Sequence, residues 1–233
     1  MTFEGSSALI IGAGPGISAS IARQLIGRGT SVVMASRDLS KLTPLAASIG
    51  ATALQVDAGH PEDVKRLFEQ VDAAIGPLDI LIYNASPGRT QGPLAEIDPE
   101  AVRSAMAATA FGGFLAVQQA ARRMLPRGGG KILLTGATAS TKGFANSAAF
   151  AMGKFALRGL AQSAARELGP KGIHVAHILV DGLVRREDRP DPVDNPDSTM
   201  DPDAIARSYM GILLQERSAW TFEMDLRPFS ERF

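Results

Sequence analysis

Residues 7–18 read SALIIGAGPGIS. A short apolar run ends in three glycines, Gly12, Gly14 and Gly16, and a helical pattern begins at Ile17. An unbroken apolar run of this length suits a strand covered on both faces. Glycine permits positive φ and lets another group approach the backbone closely. The helix that follows offers unpaired N–H groups and the positive end of its dipole, which suits a phosphate. Glycines alone also make ordinary tight turns. The order strand, glycines, helix at the first β-α junction is what points to a bound nucleotide.

The same alternation continues along the chain. Strand-like runs occupy 31–36, 51–57, 78–84, 131–136, 173–180 and 220–226. Helical patterns occupy 17–28, 39–48, 61–75, 99–124, 147–168 and 201–215. Pro61 and Pro99 stand at helix starts, with Asp98 placed to cap the second of them. This predicts an α/β fold: one doubly wound Rossmann-type domain over residues 1–233, about seven parallel strands with helices on both faces. Residues 184–203 are rich in charge and proline and poor in apolar side chains, so they are expected to pack no core. A surface loop and a mobile lid over a site are both open for them.

Composition narrows the partners. The 233 residues carry 24 basic and 24 acidic side chains, a formal net charge of zero. Nucleic acid and anionic membranes are therefore poor candidates. There are no cysteines, which excludes disulfide and thiol chemistry. Residue 4 is acidic where a secretion leader needs basic residues, and the stretch 104–121 is too short and polar to span a bilayer. A soluble, cytoplasmic protein is expected. His174 and His177 lie three apart on a strand and face opposite sides, and no metal-ligand spacing occurs. Trp220 and Phe222 are expected in core or subunit contacts.

The second strand ends at Ser36 and Arg37, where dinucleotide sites often place a carboxylate for the adenosine ribose. Arginine instead can grip a 2′-phosphate through two charge-assisted hydrogen bonds, and Lys41 lies one turn on. Asp38 is placed to cap the next helix. NADP is expected over NAD.

Taken together, these motifs resemble the short-chain dehydrogenase/reductase family over nearly the whole chain. The glycine loop is similar to the family's G-x-x-x-G-x-G with Gly12 and Gly16 in the first two places and Ser18 in the third. YNAS (83–86) resembles its N-N-A-G, and FAMGK (150–154) its Y-x-x-x-K. The resemblance implies that Gly12, Gly14, Gly16, Ile17, Ser36, Arg37, Asp57, Ala58, Asn84, Ala85, Lys154, Asp181, Gly182 and Val184 hold the dinucleotide. It also implies hydride transfer to or from a small organic substrate.

The catalytic positions depart from that pattern. Lys154 keeps the lysine that holds the nicotinamide ribose and tunes the tyrosine. The tyrosine position is Phe150, the serine position Ala137 and the asparagine position Thr109. Losing a positioned acid costs about 10²–10⁴ in rate. An oxidoreductase with a non-standard proton donor is therefore expected. Tyr209 and Asp181 are the donor candidates, and Thr138 and Ser140 could polarise a substrate. Tyr83 is expected to pack below the cofactor. An impaired NADP-binding protein and a scaffolding subunit are the alternatives. The family's use of the helices near 99–124 and 147–168 in subunit contacts implies a homodimer or homotetramer.

Overall fold

The computed structural model describes residues 3–86, 91–186 and 189–230; residues 1–2, 87–90, 187–188 of the 184–203 loop and 231–233 lie outside the described residues. Strand β1 (Ser7–Ile11) leads into helix α1 (Ile17–Ile26), β2 (Ser31–Ser36) into α2 (Leu39–Ile49), and β3 (Thr52–Gln55) into α3 (Pro61–Ile75). After β4 (Ile80–Tyr83) come α4 (Pro99–Met106), a π-helical turn (Ala107–Phe111) and α5 (Gly112–Met124). The chain closes with β5 (Gly130–Thr135), α6 (Ala148–Leu168), β6 (Ile173–Val180), α7 (Pro202–Leu213) and β7 (Glu223–Leu226). The seven strands form one parallel sheet in the order β3-β2-β1-β4-β5-β6-β7.

This order places β1 between β2 and β4, with Ile11 beside both Ala35 and Tyr83. Successive strands are added on one side of β1 up to β3 and on the other from β4 onward, and a crevice opens there beyond the carboxyl ends of the strands. The unbroken apolar runs are explained by burial on both faces. Leu9, Ile11, Leu81, Ile132 and Leu134 pack with the buried faces of α3, α5 and α6. Ala8, Ile10, Ile80, Ile82, Leu133 and Ile178 pack with those of α1, α2 and α7. Each large aliphatic chain so buried contributes about 1.5–3 kcal/mol.

Local chemistry fixes the helix starts. Asp38 accepts from the N–H of Ser40 at 3.0 Å, and Asp98 from that of Glu100 at 3.0 Å. The Ser40 hydroxyl, which also donates to Asp38, is the main cause that holds this carboxyl below its ordinary range. Pro61 and Pro99 occupy first-turn positions whose N–H would have no helical partner.

Three expectations need correction. The single helix expected over 99–124 is interrupted at Ala107–Phe111 by one wider turn. The strand expected over 220–226 begins only at Glu223, because Trp220 stacks on His174 instead, at 4.7 Å between ring centroids. The 184–203 segment was expected to pack no core, yet Thr199 and Met200 are buried and Met200 joins the α7-side cluster. Met200 is drawn in by bonds on both sides, its N–H to Leu183 at 2.7 Å and its carbonyl from Arg185 at 2.8 Å. Asp191 anchors the same segment by accepting from Arg185 and from the hydroxyl and N–H of Thr199.

Candidate functional site

The crevice holds two adjoining hollows on either side of Asn84. The first, about 300 Å³, is lined by Gly12, Gly14, Ser36, Arg37, Lys41, Asp57, Ala58, Asn84 and Ala85, among others. Gly12 has φ 80°, and a Cβ there would lie 2.3 Å from the Ala85 backbone. The glycine is therefore required by the approach of the β1 and β4 loops. Gly16, at φ 91°, turns the chain into α1, whose first turn carries no acidic residue and no side-chain cap. Ile17, the first residue of α1, lines the crevice, as does Gly14, where a Cβ would meet nothing within 4 Å.

Ser18, in place of the third glycine, is buried and accepts from Asn84 Nδ2 at 2.8 Å. Its own hydroxyl reaches the Gly12 carbonyl at 3.4 Å. The serine thus ties the glycine loop to the end of β4, a role that no local motif announces. Asp57 accepts from the Gly59 N–H at 2.9 Å, which fixes the rim beside Ala58.

The second hollow, about 420 Å³, is lined by Ile17, Asn84, Ala137, Phe150, Lys154, Gly182, Val184 and Arg189, among others. Phe150 and Lys154 lie one turn apart on α6. Lys154 is 4 % exposed; its Nζ donates to the Thr135 carbonyl at 2.8 Å and sits 5.9 Å from the centre of the Phe150 ring. Burial brings its pKa down to about 8. The lysine has not escaped to water; it is held dry beside a phenyl ring.

Thr109 lies in the π turn and is buried against Gly153, where a Cβ would come within 3.1 Å of it. Tyr83 clips this turn by donating its hydroxyl to the Ala108 carbonyl at 2.5 Å. Burial pushes the Tyr83 phenol up. Gly112 is required there, because its Cβ would meet the Tyr83 hydroxyl.

The structure separates the donor candidates. Tyr209 is fully buried in the cluster on the α7 side, bonded to Thr135 Oγ1 at 2.8 Å. Lys154 and Phe150 belong to α6 on the opposite side of the sheet, so Tyr209 does not face the hollow. Ser140 is fully buried, accepts from the Ala137 N–H at 3.2 Å and lines neither hollow. Asp181 lines neither hollow; its carboxylate accepts from the Thr138 hydroxyl and pairs with Arg227 at 3.6 Å. Thr138, Ala137 and Phe150 share the wall of a third cavity, about 260 Å³, next to the second.

His177 and His174 face opposite sides as expected. His177 Nδ1 lies 3.0 Å from Glu223, which Arg158 grips through two bonds of 2.6 and 2.8 Å. Those bonds from Arg158 are the main cause of the lowered Glu223 pKa. His174 Nε2 lies 2.8 Å from the Thr221 carbonyl. Among the described residues no group of His, Asp or Glu could hold a metal, and no helix is long and apolar enough to cross a membrane.

Known proteins share both sequence and architecture with this chain. The family model described as short chain dehydrogenase matches residues 6–184. A 2,5-dichloro-2,5-cyclohexadiene-1,4-diol dehydrogenase of Sphingobium indicum is 34 % identical over 185 residues, 78 % of this chain and 74 % of the relative. A short-chain dehydrogenase from Rhodopseudomonas palustris is 37 % identical with a TM-score of 0.83, covering 97 % of this chain and all of that one. A metagenomic short-chain oxidoreductase in complex with NADP is 27 % identical with a TM-score of 0.85, covering 99 % of this chain and all of that one. With a glycine loop at the switch point, a buried lysine on α6 and these likenesses in sequence and fold, the chain belongs to the short-chain dehydrogenase/reductase family of oxidoreductases.

Proposed function

We propose that the protein is an NADP-dependent oxidoreductase that acts on a small organic substrate without the family's tyrosine. The observation that carries the cofactor reading is the first hollow, where Arg37 and Lys41 flank Ser36 opposite the glycine loop. Lys41 pairs with Asp38 at 3.4 Å, while Arg37 makes no ion pair among the described residues. Asp38 lines the same hollow, but its carboxylate is engaged by the N–H groups that it caps at the start of α2 and by Lys41.

The residues fit the dinucleotide. The bare backbone of Gly14 and the uncapped start of α1, from Gly16 to Ile17, would receive the pyrophosphate. Ser36 and Arg37 would hold the 2′-phosphate, Asp57 and Ala58 the adenine, and Lys154 the nicotinamide ribose. Asn84, Ala85, Gly182 and Val184 would line its path. When bound, the group gives or takes a hydride. An NADP complex among the solved relatives supports this choice of cofactor. Loop residues Val184 and Arg189 on the hollow's wall support a covering role for 184–203.

Titration with NADPH and NADH, followed by carbonyl, enoyl and alcohol panels, tests the reading. Binding of neither nucleotide below the millimolar range overturns it. Nucleotide binding with no turnover on any panel favours the alternative, a protein that holds NADP without catalysis. That alternative rests on the loss of polar function at Phe150 and Ala137.

Two further outcomes are expected. Phe150→Tyr alone should leave carbonyl reduction within about tenfold of the parent, because Ala137 still offers no hydroxyl. The double variant with Ala137→Ser should gain about 10²–10⁴-fold, the worth of a positioned acid. Steady-state rates of both variants check this, and strong activity from the single change would show Ala137 to be immaterial.

Self-association is proposed through α5 and α6. Phe111, Phe114, Met152 and Phe155 are exposed on this side, and the two rings of Phe111 and Phe114 stack at 6.2 Å. Apolar side chains grouped in this way mark interaction surfaces, and symmetric homo-oligomers are the common assembly. Light scattering should give a dimer or tetramer for the parent and a monomer for Phe114→Glu/Phe155→Glu. A monomeric parent would refute the proposal.

A further inference from the structure

The cavity of about 260 Å³ beside Phe150 is walled mainly by Ala137, Thr138, Phe144, Ser147, Phe150 and Val180, with Gln91 also on its wall. Its polar wall has an uneven character. The Thr138 hydroxyl donates to Asp181 Oδ1, and Arg227 pairs with the other oxygen of that carboxylate at 3.6 Å. An ionised carboxylate only accepts, and a hydroxyl has one proton and two lone pairs. With its proton directed at Asp181, Thr138 has lone pairs left for the cavity.

The Ser147 hydroxyl and the Ala137 N–H are directed elsewhere too. The Ser147 hydroxyl points to the Phe144 carbonyl at 3.4 Å. The Ala137 N–H is bonded to Ser140 at 3.2 Å. Ala137 itself carries no hydroxyl. The remaining side-chain donor is Gln91, which is exposed. The side chains of the inner wall therefore accept hydrogen bonds and do not donate them, and two phenyl rings supply its apolar surface.

The geometry points to Thr138 as the acceptor for a substrate hydroxyl, held in that sense by Asp181 and Arg227, so that the site selects the alcohol form of its substrate over the ketone. This deepens the reading above, since it takes the cavity beside Phe150 as the substrate end. A ketone oxygen placed at Thr138 would face lone pairs without a proton between them. An alcohol O–H placed there completes the chain from ligand to Thr138 to Asp181. Asp181 and Arg227 are positioning residues, because neither lines the cavity.

The test compares 1-phenylethanol with acetophenone, two probes of nearly equal shape. Binding is measured by ligand-observed NMR on the whole protein without added nucleotide, so that failure of NADP binding and failure of this inference are separate results. The alcohol is expected to bind about tenfold more tightly, the worth of one good hydrogen bond against an unmatched pair. Thr138→Val should bring the ratio to about one, and Thr138→Ser should keep it. Asp181→Asn should lower or invert it, because an amide can donate to Thr138 and free its proton for the cavity. A merely structural role for Thr138 or Asp181 would weaken both probes alike. Equal binding to the parent, preference for the ketone, no detectable binding of either probe, or a ratio untouched by Thr138→Val overturns the inference.

Discussion

Arg37→Asp should lower NADPH affinity by about 10²-fold or more while leaving NADH within a few-fold of the parent. Arg37 lies on the wall of the first hollow beside Ser36 and Lys41, and no carboxylate of the described residues competes for it. A hydrogen bond to a charged group contributes about 1.5–3 kcal/mol, and a bidentate guanidinium offers two. Each 1.4 kcal/mol is a factor of ten in affinity. The new carboxylate would also repel a 2′-phosphate, whereas it could accept from the ribose hydroxyls of NADH. Fluorescence titration with both nucleotides reads the difference. An equal loss for the two would show that Arg37 supports the site without reading the phosphate.

Lys154→Met should make the protein more stable at neutral pH and weaken its hold on the nucleotide. The lysine is buried, and burial brings its pKa from 10.5 down to about 8. Below about pH 8 both folded and unfolded chains carry the proton, and the folded state bears the full cost of an enclosed charge. Between about 8 and 10.5 the unfolded chain holds more protons, so stability rises with pH across that window. A shift of this size corresponds to about 3 kcal/mol. Loss of the bond to the Thr135 carbonyl returns about 1 kcal/mol of that. A net gain of about 1–2 kcal/mol at pH 7 should raise Tm by about 3–6 °C. The gain should shrink toward pH 10. Thermal denaturation of the nucleotide-free protein at the two pH values decides it, and an unchanged or lower Tm at pH 7 contradicts the account. The expected rise would mark the lysine as a functional group kept at the expense of stability.

Features set by neighbours in sequence were legible before the structure. The glycine loop, the caps at Asp38 and Asp98, the first-turn prolines and the seven apolar runs each depend on a few adjacent residues. The lining of the first hollow follows from these, because the carboxyl ends of β1, β2 and β4 meet there whatever the surface carries. Features set by partners distant in sequence were not legible. Tyr209 bonds to Thr135 at the end of β5 and Phe150 lines a hollow that Thr135 also lines, yet the two side chains belong to opposite sides of the sheet. Thr138 lies in the turn after β5, Asp181 just past β6 and Arg227 just past β7, and they come together only because these strands lie side by side. Met200 enters the core because the loop bonds back to Leu183, although its flanking sequence is polar.

The π turn at Ala107–Phe111 has a consequence for rebuilding a family-like site in this chain. A helix advances about 100° per residue, so one extra residue in a turn sets the phase of everything that follows. Thr109 faces inward and Phe111 and Phe114 face outward only because that phase is kept, with the Tyr83 hydroxyl holding the carbonyl that the wide turn releases. Grafting side chains at positions 109, 137 and 150 preserves the alignment. Transplanting a helix one residue shorter would rotate α5 against its neighbours and carry the outward rings toward the core. Length between Asp98 and Met124 is thus as much a part of the site as the identity of any residue within it.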